Sequence, residues 1–347
     1  MVRVGIIGFG NMGRHYYEEL SAGLVPGAVV TAVYTGSAEK KRHLAREVTV
    51  VSAVEALLEL AEVDAVLVTT PNHTHAAITK KALARGKHVL VEKPVGLNLD
   101  EVEELTGLAA SRGLSFAVMF QMRADPVFMA IKKQLSSLGQ LERISWQVTQ
   151  YYRPQSYYDG SRSWTGRWQT DGGGVLLNQA IHQLDLWQYL FGMPDQVVSK
   201  VRFGAFRDIE VEDQATVMLV YEDGLTGTFM ATVNEADRAD RLEIVGAQGT
   251  ILLADHQLRI RIGEQEEVVQ NGGAGVWKDN RLRLVDNFVK AITGSTGLIS
   301  PAGEGRNSLE LVFAAWLSTW NHRWVSLPVD RSEVQKKISQ KEKTDET

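Results

Sequence analysis

Asn178, His182 and Asp185 follow one another at spacings of four and three residues in the stretch LLNQAIHQLDLW. In an α-helix these spacings place the three side chains on one face. A histidine there could take a proton from an alcohol, because its ordinary pKa lies near neutrality. A polar seam on a packed helix would have the same pattern. The run of glycines from Gly172 to Gly174 precedes the stretch and does not decide between the two interpretations.

A glycine-rich turn, GFGNMG, follows an apolar run and opens a helical pattern near the N-terminus. Glycines in this setting permit a tight turn and let a pyrophosphate approach the start of the helix. The pattern predicts a dinucleotide site, and the alternative is a turn that needs small residues only for packing. The expected cofactor-binding residues are Gly8, Phe9, Gly10, Asn11, Met12 and Gly13.

The choice between NAD and NADP is expected at the end of the second strand, where the chain reads VYTGSAEKK. NAD sites usually place an acid there to accept both ribose hydroxyls. Here Thr35, Gly36 and Ser37 stand in its place, and Lys40 is close by. The missing carboxylate removes repulsion against a 2′-phosphate, so the segment favours NADP over NAD. Lys40 and Lys41 would also suit a solvated helix face.

Glu92, Lys93 and Pro94 end a later strand-like run. They fall at the edge where a doubly wound sheet binds ligands. Lys93 could hold a positive charge near a substrate oxygen, and Pro94 restricts it to extended backbone. A lysine before a proline is also common on protein surfaces.

Aromatic and arginine residues are dense in YYRPQSYYDGSRSWTGRWQT, residues 151–170. Aromatic faces can stack on pyranose rings, and arginines can hold a carboxylate or phosphate bidentately. We expect Arg153, Trp164 and Arg167 to contact substrate. Packing over a sheet or at a subunit contact is the alternative.

Strand-like and helical patterns alternate up to about residue 120, which predicts a parallel sheet covered on both faces. Ser52 with Glu55 suggests a capping box, and Gly86 and Gly113 suggest helix ends. The expected strands are 2–7, 28–34, 65–70, 87–92 and 114–120. The expected helices are 12–22, 38–47, 54–60, 74–85 and 100–111.

The second half of the chain has a different pattern. A helix over 126–136 is followed by strand-like runs joined by short Asp-Gly or Gln-Gly turns, which indicates an antiparallel sheet. Helices are expected near 280–293 and 306–321. We therefore predict a fold of α/β plus α+β class, with a doubly wound Rossmann domain and a C-terminal α/β domain on a large, mostly antiparallel open sheet. The predicted divisions are 1–122, 123–330 and a charged, frayed tail over 331–347.

The composition excludes several classes of protein. The chain has 347 residues, a net charge of -5 and no cysteine. The negative charge argues against nucleic acid as a partner. The absence of cysteine excludes disulfides, thiolate metal sites and cysteine nucleophiles. Neither a signal peptide nor a membrane span is expected, and no metal site is predicted, so a cytoplasmic protein is the simplest interpretation.

The segments GIIGFGNMG, TTPNHTH, GKHVLVEKP and GGGVLLNQAIHQLDLWQYLFG occur in this order. With them the chain resembles the glucose-fructose oxidoreductase / inositol dehydrogenase / rhizopine-catabolism (Gfo/Idh/MocA) family from Val2 to about Pro328. The resemblance implies NAD(P)-dependent hydride transfer on sugars, cyclitols or related polyols. It also implies an open second-domain sheet that often forms the oligomer interface, so we expect a homodimer or homotetramer. YTGSAEKK further resembles the NADP-binding segment of glucose-fructose oxidoreductase.

The resemblance also implies roles for particular residues. Lys93 and His182 are expected to meet at the nicotinamide ring, with His182 as general base and Lys93 stabilising the alkoxide-like oxygen. Asn178 stands where many relatives have aspartate and is expected to orient His182 or to bind a substrate hydroxyl. The pair Asn178–Gln179 resembles a subset of the family that includes dehydrogenases of nucleotide-linked N-acetylhexosaminuronates. Asp185 is expected to bind a substrate hydroxyl or to support the site. Further expected cofactor contacts are Thr70, Pro71, Asn72, His75, Glu92 and Gln121, with helix capping an equal alternative for His75.

Two other functions are compatible with the motifs. The family also contains a transcriptional co-regulator, so a non-catalytic cofactor-binding regulator is one alternative. A glycosidase that uses tightly held NAD transiently is the other. The presence of both Lys93 and His182 favours the dehydrogenase, because a regulator needs no proton relay.

Overall fold

The computed structural model describes residues 1–37, 44–159, 164–255, 257–270 and 276–344. Its strands are β1 Val2–Ile7, β2 Ala28–Tyr34, β3 Thr49–Val51, β4 Ala65–Val68, β5 His88–Val91, β6 Phe116–Val118, β7 Leu141–Val148, β8 Gln196–Phe203, β9 Glu212–Val220, β10 Thr226–Thr232, β11 Asp240–Gly246, β12 Gly249–Ala254, β13 Gln257–Ile262, β14 Gln265–Gln270 and β15 Val325–Ser326. Its α-helices are α1 Asn11–Ser21, α2 Val54–Leu58, α3 His75–Ala84, α4 Leu99–Ser111, α5 Pro126–Gln134, α6 Ser156–Asp159, α7 Ile181–Phe191, α8 Val276–Ile292, α9 Gly305–Asn321 and α10 Arg331–Thr344.

The chain folds as two compact units. The first comprises Met1–Ala124 and Trp277–Arg306, and the second comprises Asp125–Val276 and Asn307–Thr347. The predicted division placed 277–306 in the second domain, and here the structure differs. The reason is apolar packing, since Leu284 and Phe288 of α8 lie in one buried cluster with residues of β1 and β2.

The first unit is built on a parallel sheet. The described residues form six strands in the order β3-β2-β1-β4-β5-β6, all paired in parallel. The order reverses between β1 and β4, so their carboxyl ends flank the crevice where doubly wound sheets bind ligands. β4 is a continuous apolar run, and β1 and β5 are apolar apart from Arg3 and His88, because both faces of the sheet are covered. The predicted Rossmann fold is confirmed.

The helix ends predicted for the first unit are confirmed, whereas other local predictions differ from the structure. Gly86 and Gly113 follow α3 and α4 with φ of +72° and +65°, as predicted for helix ends. The capping box is wrong, because α2 has Ala53 as N-cap and no side-chain cap bond. β3 was not predicted. In the predicted helix 38–47, residues 38–43 lie outside the described residues, and Arg46 and Glu47 form a turn.

The second unit is built on a mixed sheet. Its described strands number nine, in the order β14-β13-β12-β11-β7-β10-β9-β8-β15. The β7–β10 pair is parallel and the other pairs are antiparallel. α7 covers one face, where Trp187 lies over Gly227 of β10 and packs against Trp146 of β7. α9 covers the same sheet at β8, where Ser318 and Thr319 hydrogen-bond the backbone of that strand.

A buried carboxylate joins α7 to the sheet. Asp240 of β11 accepts hydrogen bonds from Trp146 Nε1 at 2.6 Å, Gln183 Nε2 at 2.8 Å and Gln150 Nε2 at 2.7 Å. Burial raises the pKa of this carboxyl group. Three donors offset the cost of enclosing it, and Gln183 thereby fixes α7 against β7 and β11.

The C-terminal segment differs from the predicted frayed tail. Residues 331–344 form α10, whose start is capped by Asp330 Oδ1 through the backbone N–H groups of Ser332 and Glu333. Val334 is fully buried, and Asn321 donates a hydrogen bond to Glu333. Packing of Val334, together with the half-buried Ile338, therefore orders a helix whose other residues are polar. Within the described ranges, no helix is long and apolar enough to cross a membrane.

Candidate functional site

The turn between β1 and α1 has a backbone that requires glycine. Gly8 has a φ of +102°, and an added Cβ would lie 2.9 Å from the Thr69 backbone. A Cβ at Gly13 would lie 2.0 Å from Gly8 O. α1 begins at Asn11 after Gly10, with no side-chain cap, so the first backbone N–H groups of the helix are not bonded by a capping side chain. Such a helix start suits a phosphate group.

Other predicted residues of this turn differ in exposure. Phe9 is buried and packs edge-on against Tyr17, so its side chain belongs to the core. Asn11 is exposed and Met12 is half-buried. The turn is held from β4 by Thr69, whose hydroxyl donates to Gly8 O at 2.6 Å.

None of the described residues 35–37, which follow β2, has a carboxylate side chain. Thr35 is 4% exposed, and its hydroxyl accepts a hydrogen bond from Ser37 N at 3.3 Å. Gly36 is exposed and Ser37 is half-buried. Ser37 and the Gly36 backbone are therefore better placed than Thr35 to meet a ligand. Lys40 lies outside the described residues.

His75 connects two of the predicted motifs. Its ring nitrogens lie 2.7 Å from Pro94 O and 2.7 Å from Thr70 O, and the side chain is 1% exposed. The capping interpretation is wrong, because His75 is the first residue of α3 and Thr74 precedes it as N-cap. Burial lowers the pKa of the imidazole. His75 thus fixes the Thr70 loop relative to the Lys93–Pro94 segment.

Glu92 contacts helix α1. Tyr16 Oη donates to Glu92 Oε1 at 2.6 Å, and burial raises the pKa of the carboxyl group. The Arg281 guanidinium lies 5.8 Å from the centre of the Tyr16 ring and pairs with Glu19. These contacts hold Glu92 within the first unit, beside the half-buried Lys93.

The remaining predicted residues of the first unit lie after β4 and β6. Asn72 is buried in the short 3-10 turn Asn72–Thr74, which follows Pro71. The Oε1 atom of Gln121 is buried and accepts no hydrogen bond from the part of the chain that the structure describes. An enclosed amide oxygen of this kind suits a ligand donor.

In the second unit, the stretch that carries Asn178 and His182 is not one uninterrupted α-helix. Val175–Gln179 form a π-helical turn, and α7 begins at Ile181. The Ala180 N–H bonds Val175 O at 2.7 Å. The wider turn changes the angle between Asn178 and His182 from that of a regular α-helix. Such turns are frequent at functional sites.

Strand β9 explains the π-helical turn. A Cβ at Gly174 would lie 1.9 Å from Glu212 O, so the chain passes this strand at a distance that only glycine allows. The Glu212 carboxylate accepts a hydrogen bond from Leu176 N at 3.1 Å. Burial raises the pKa of Glu212 to about 7.

The three side chains of the stretch have different surroundings. Asn178 is half-buried, and its Nδ2 donates to Asp171 Oδ1 at 2.7 Å. His182 is 7% exposed. Asp185 is fully buried and accepts hydrogen bonds from Ser308 and Gln188, each at 3.2 Å. These are the surroundings of a packing carboxylate, so the structure does not present Asp185 to a substrate.

The aromatic and arginine segment, residues 151–170, includes both partly exposed side chains and core side chains. Arg153 Nη2 donates to Gln179 Oε1 at 3.0 Å, and its guanidinium lies 4.9 Å from the centre of the Tyr157 ring. Arg167 is exposed and pairs with Glu210 at 3.5 Å. Trp164 is half-buried. The neighbouring Trp168 packs with Trp316 and is core, which is the packing role foreseen for part of this segment.

Three residues near this stretch were not predicted: Asp171, Gln179 and Arg207. Asp171 directly precedes the glycine run, and that position was a usable signal. Arg207 donates from Nε to Arg153 O at 2.6 Å, a contact between distant parts of the chain that no local pattern reveals. In the described residues, no cluster of three or more His, Asp or Glu side chains could hold a metal ion.

Known protein families match both halves of the chain. Residues 2–120 match the model of an oxidoreductase family with an NAD-binding Rossmann fold, and 129–252 match the GFO/IDH/MocA C-terminal domain. The chain is 30% identical over 282 residues to the uncharacterized oxidoreductase YdgJ of Escherichia coli (strain K12), covering 78% of this chain and 75% of that protein. It is 30% identical over 259 residues to scyllo-inositol 2-dehydrogenase (NADP(+)) IolU of Bacillus subtilis (strain 168), covering 73% and 76%.

A solved structure is similar over almost the whole chain. It is the WlbA dehydrogenase of Chromobacterium violaceum in complex with NADH and UDP-GlcNAcA, at 25% identity and a TM-score of 0.82. The match covers 95% of this chain and 96% of that one.

The glycine turn gives a test of nucleotide binding. In Gly13→Ala the new Cβ must push Gly8 away, so we expect nicotinamide nucleotide to bind about ten-fold or more weakly and the Tm to fall. Gly10→Ala meets no atom within 4 Å in the free protein, so its stability should stay within ~0.5 kcal/mol while nucleotide binding weakens. Titration calorimetry and thermal melts would measure both effects.

Gly107→Ala is the matched control, because it lies on α4 with nothing within 4 Å. It should bind nucleotide like the wild type. Unchanged affinity in both Gly13→Ala and Gly10→Ala would show that the nucleotide does not use this turn.

Proposed function

Because this chain belongs to the Gfo/Idh/MocA family of oxidoreductases with an NAD-binding Rossmann fold, we propose that it is an NAD(P)-dependent dehydrogenase or reductase. Its substrate is a sugar, cyclitol or sugar derivative, and the reaction interconverts a hydroxyl and a carbonyl group. The observation that carries the proposal is the glycine turn at the β1–β4 crevice. The relatives support the substrate class, since one is named as an inositol dehydrogenase and another binds NADH with a sugar nucleotide.

The protein residues handle the proton and the developing charge. When bound, the nicotinamide exchanges hydride with the substrate carbon. Lys93 stabilises the oxygen on that carbon, because its positive charge offsets the charge that develops there. His182 takes the hydroxyl proton as general base. Asn178, four residues before His182, supplies a hydrogen-bond acceptor for the substrate. The family membership and the residue chemistry support these roles.

Arginines support a substrate that carries a negative charge. The Arg153 guanidinium is oriented by Gln179 and by the Tyr157 ring, which lowers the entropy lost when it binds a carboxylate or phosphate. Trp164 is half-buried and can offer part of its ring to a sugar. Arg167 is largely solvent-exposed and has a smaller expected contribution.

A turnover screen tests the proposal. The purified protein is incubated with NADP⁺ or NAD⁺ and a panel of inositols, aldoses and uridine-diphosphate sugars, and reduced nicotinamide is followed by absorbance. Net reduction with at least one substrate is expected. Hydrolysis without net reduction would instead identify a glycosidase that uses NAD transiently. Nucleotide binding with no turnover in either direction would identify a non-catalytic regulator.

The proton-handling roles predict a specific loss. His182→Ala and Lys93→Ala should each lower kcat by about a hundred- to ten-thousand-fold, because each removes a group that acts on the reacting oxygen. Nucleotide affinity should change little. Steady-state kinetics with the best substrate of the screen, together with nucleotide titration, would measure this.

Matched controls are His15→Ala on α1 and Lys80→Ala on α3, both at exposed positions. Their kcat should equal that of the wild type. Full turnover in His182→Ala would remove this residue from the reaction.

We also propose that NADP is preferred to NAD. The support is the absence of a carboxylate at Thr35, Gly36 and Ser37, which removes repulsion of a 2′-phosphate. NADPH should therefore bind more tightly than NADH. Ser37→Asp should weaken NADPH binding by about ten-fold or more through like-charge repulsion and should improve NADH binding. Thr35→Ser retains the acceptor for Ser37 N and should keep the wild-type preference. A clear NADH preference in the wild type would contradict the assignment.

The assembly that we propose is a homodimer or homotetramer formed through the second-unit sheet. On the face opposite α7, Met218 is 38% exposed and Thr228 donates to the Ser145 hydroxyl at 3.3 Å, next to the ion pair between Arg143 and Glu243. Light scattering at micromolar concentration should report an oligomer, and Met218→Lys should dissociate it by placing a charge in the interface. Met129→Lys, at an exposed methionine of α5, is the control. A monomeric wild type would refute this assembly.

A further inference from the structure

Asp171 and Asn178 form a side-chain hydrogen bond in which Asn178 is the donor. Asn178 Nδ2 donates to Asp171 Oδ1 at 2.7 Å. A carboxylate only accepts hydrogen bonds, so the amide group must turn its NH₂ towards Asp171 and its oxygen away from it. Asp171 is 1% exposed and Asn178 is half-buried, so the carboxylate is enclosed while part of Asn178 is exposed.

Both members of the pair are held by the backbone. Asp171 Oδ2 accepts a hydrogen bond from Gly166 N at 2.9 Å, and Asp171 N donates to Arg167 O at 3.0 Å. Asn178 N donates to Gly174 O at 2.8 Å within the π-helical turn. The carboxylate therefore cannot rotate without losing a buried hydrogen bond.

We propose that Asp171 is a positioning residue that makes Asn178 a fixed hydrogen-bond acceptor for the substrate. The inference rests on the proposed function and adds a residue to it. A free asparagine can present either its NH₂ or its oxygen, and the contact with Asp171 selects the oxygen. The negative charge behind the NH₂ group also polarises the amide and strengthens its oxygen as an acceptor.

The contact with Asp171 also changes the effect that an aspartate at position 178 would have. In Asn178→Asp alone, two carboxylates would lie in contact, and one of them must keep a proton. The substitution therefore adds a like-charge contact and does not simply restore the aspartate of many relatives. The double variant Asp171→Asn/Asn178→Asp exchanges amide and carboxylate and keeps one hydrogen bond between them.

The first arm of the test measures stability without activity. In Asn178→Asp the folded pair keeps a proton, so its folded-state pKa is above the unfolded aspartate value of about 3.9. Its stability relative to the wild type is then greatest below that value and is lost as the pH rises through the folded-state pKa. At neutral pH we expect a Tm lower than the wild type by about 2 °C or more, with the deficit shrinking in acid. The double variant should remove most of this pH dependence.

The second arm measures catalysis with the best substrate of the screen. Asp171→Asn should lower kcat/KM by about ten- to a hundred-fold, because Asn178 can then present either end, while nucleotide affinity stays unchanged. The double variant should recover more activity than either single variant. Asp208→Asn, at an exposed position of the same unit, is the matched control.

The outcomes separate this inference from the proposed function. Wild-type kcat/KM in Asp171→Asn, or no pH-dependent deficit in Asn178→Asp, would overturn the positioning role. A wild-type protein without turnover would overturn the proposed function, and the stability arm would still decide whether the two side chains are coupled.

Discussion

The close contact between Gly174 and the backbone of β9 positions the turn that carries Asn178 and Gln179. A side chain at Gly174 would collide with Glu212 O, so only glycine lets the chain pass the strand here. The Glu212 carboxylate then accepts the Leu176 N–H, and the chain continues through a π-helical turn into α7. Asn178 and Gln179 project from that turn. Their contacts with Asp171 and Arg153 therefore depend on a single backbone approach.

The first unit uses the same physical arrangement at its own ligand-binding edge. Gly8 and Gly13 permit a close backbone approach, and helix α1 starts directly after the turn. His75 adds a second constraint, because its two ring nitrogens join the loop after β4 to the segment that carries Lys93. In each unit, a glycine contact fixes a helix start and a buried polar side chain fixes the loop beside it. The residues with proposed chemistry lie on these fixed segments.

Much of the first unit could be predicted because its information is local. β1 and β2 have the predicted bounds, since their apolar runs end at glycine or polar residues. The glycine turn was recognisable from its spacing between a strand and a helix. β3 was not predicted because it has only three residues, and the position of α8 in the first unit depends on packing with strands far away in the chain.

For the polar stretch of the second unit, the residues could be predicted from the sequence better than their arrangement could. The spacing of Asn178 and His182 indicated the correct stretch, but the π-helical turn depends on Glu212, a partner distant in sequence. Asp185 has the helical spacing of a site residue, and its carboxylate nevertheless pairs with Ser308 of α9. A helical pattern identifies which residues share a face only when the hydrogen bonding is regular. Here tertiary contacts changed that pattern at the position where the chemistry is expected.

The distribution of charge around Asn178 has a consequence for the choice of substrate. An aspartate at this position would place a negative charge at the ligand surface, whereas here the carboxylate of Asp171 lies one hydrogen bond behind a neutral amide. The buried Asp171 accepts hydrogen bonds from two N–H groups, which offset the cost of enclosing its side chain. The surface that we propose for the substrate then carries an uncharged acceptor, with the Arg153 guanidinium held by the adjacent Gln179. Such a surface does not repel a carboxylate or phosphate. This arrangement of charges agrees with the negatively charged substrate that we propose from Arg153.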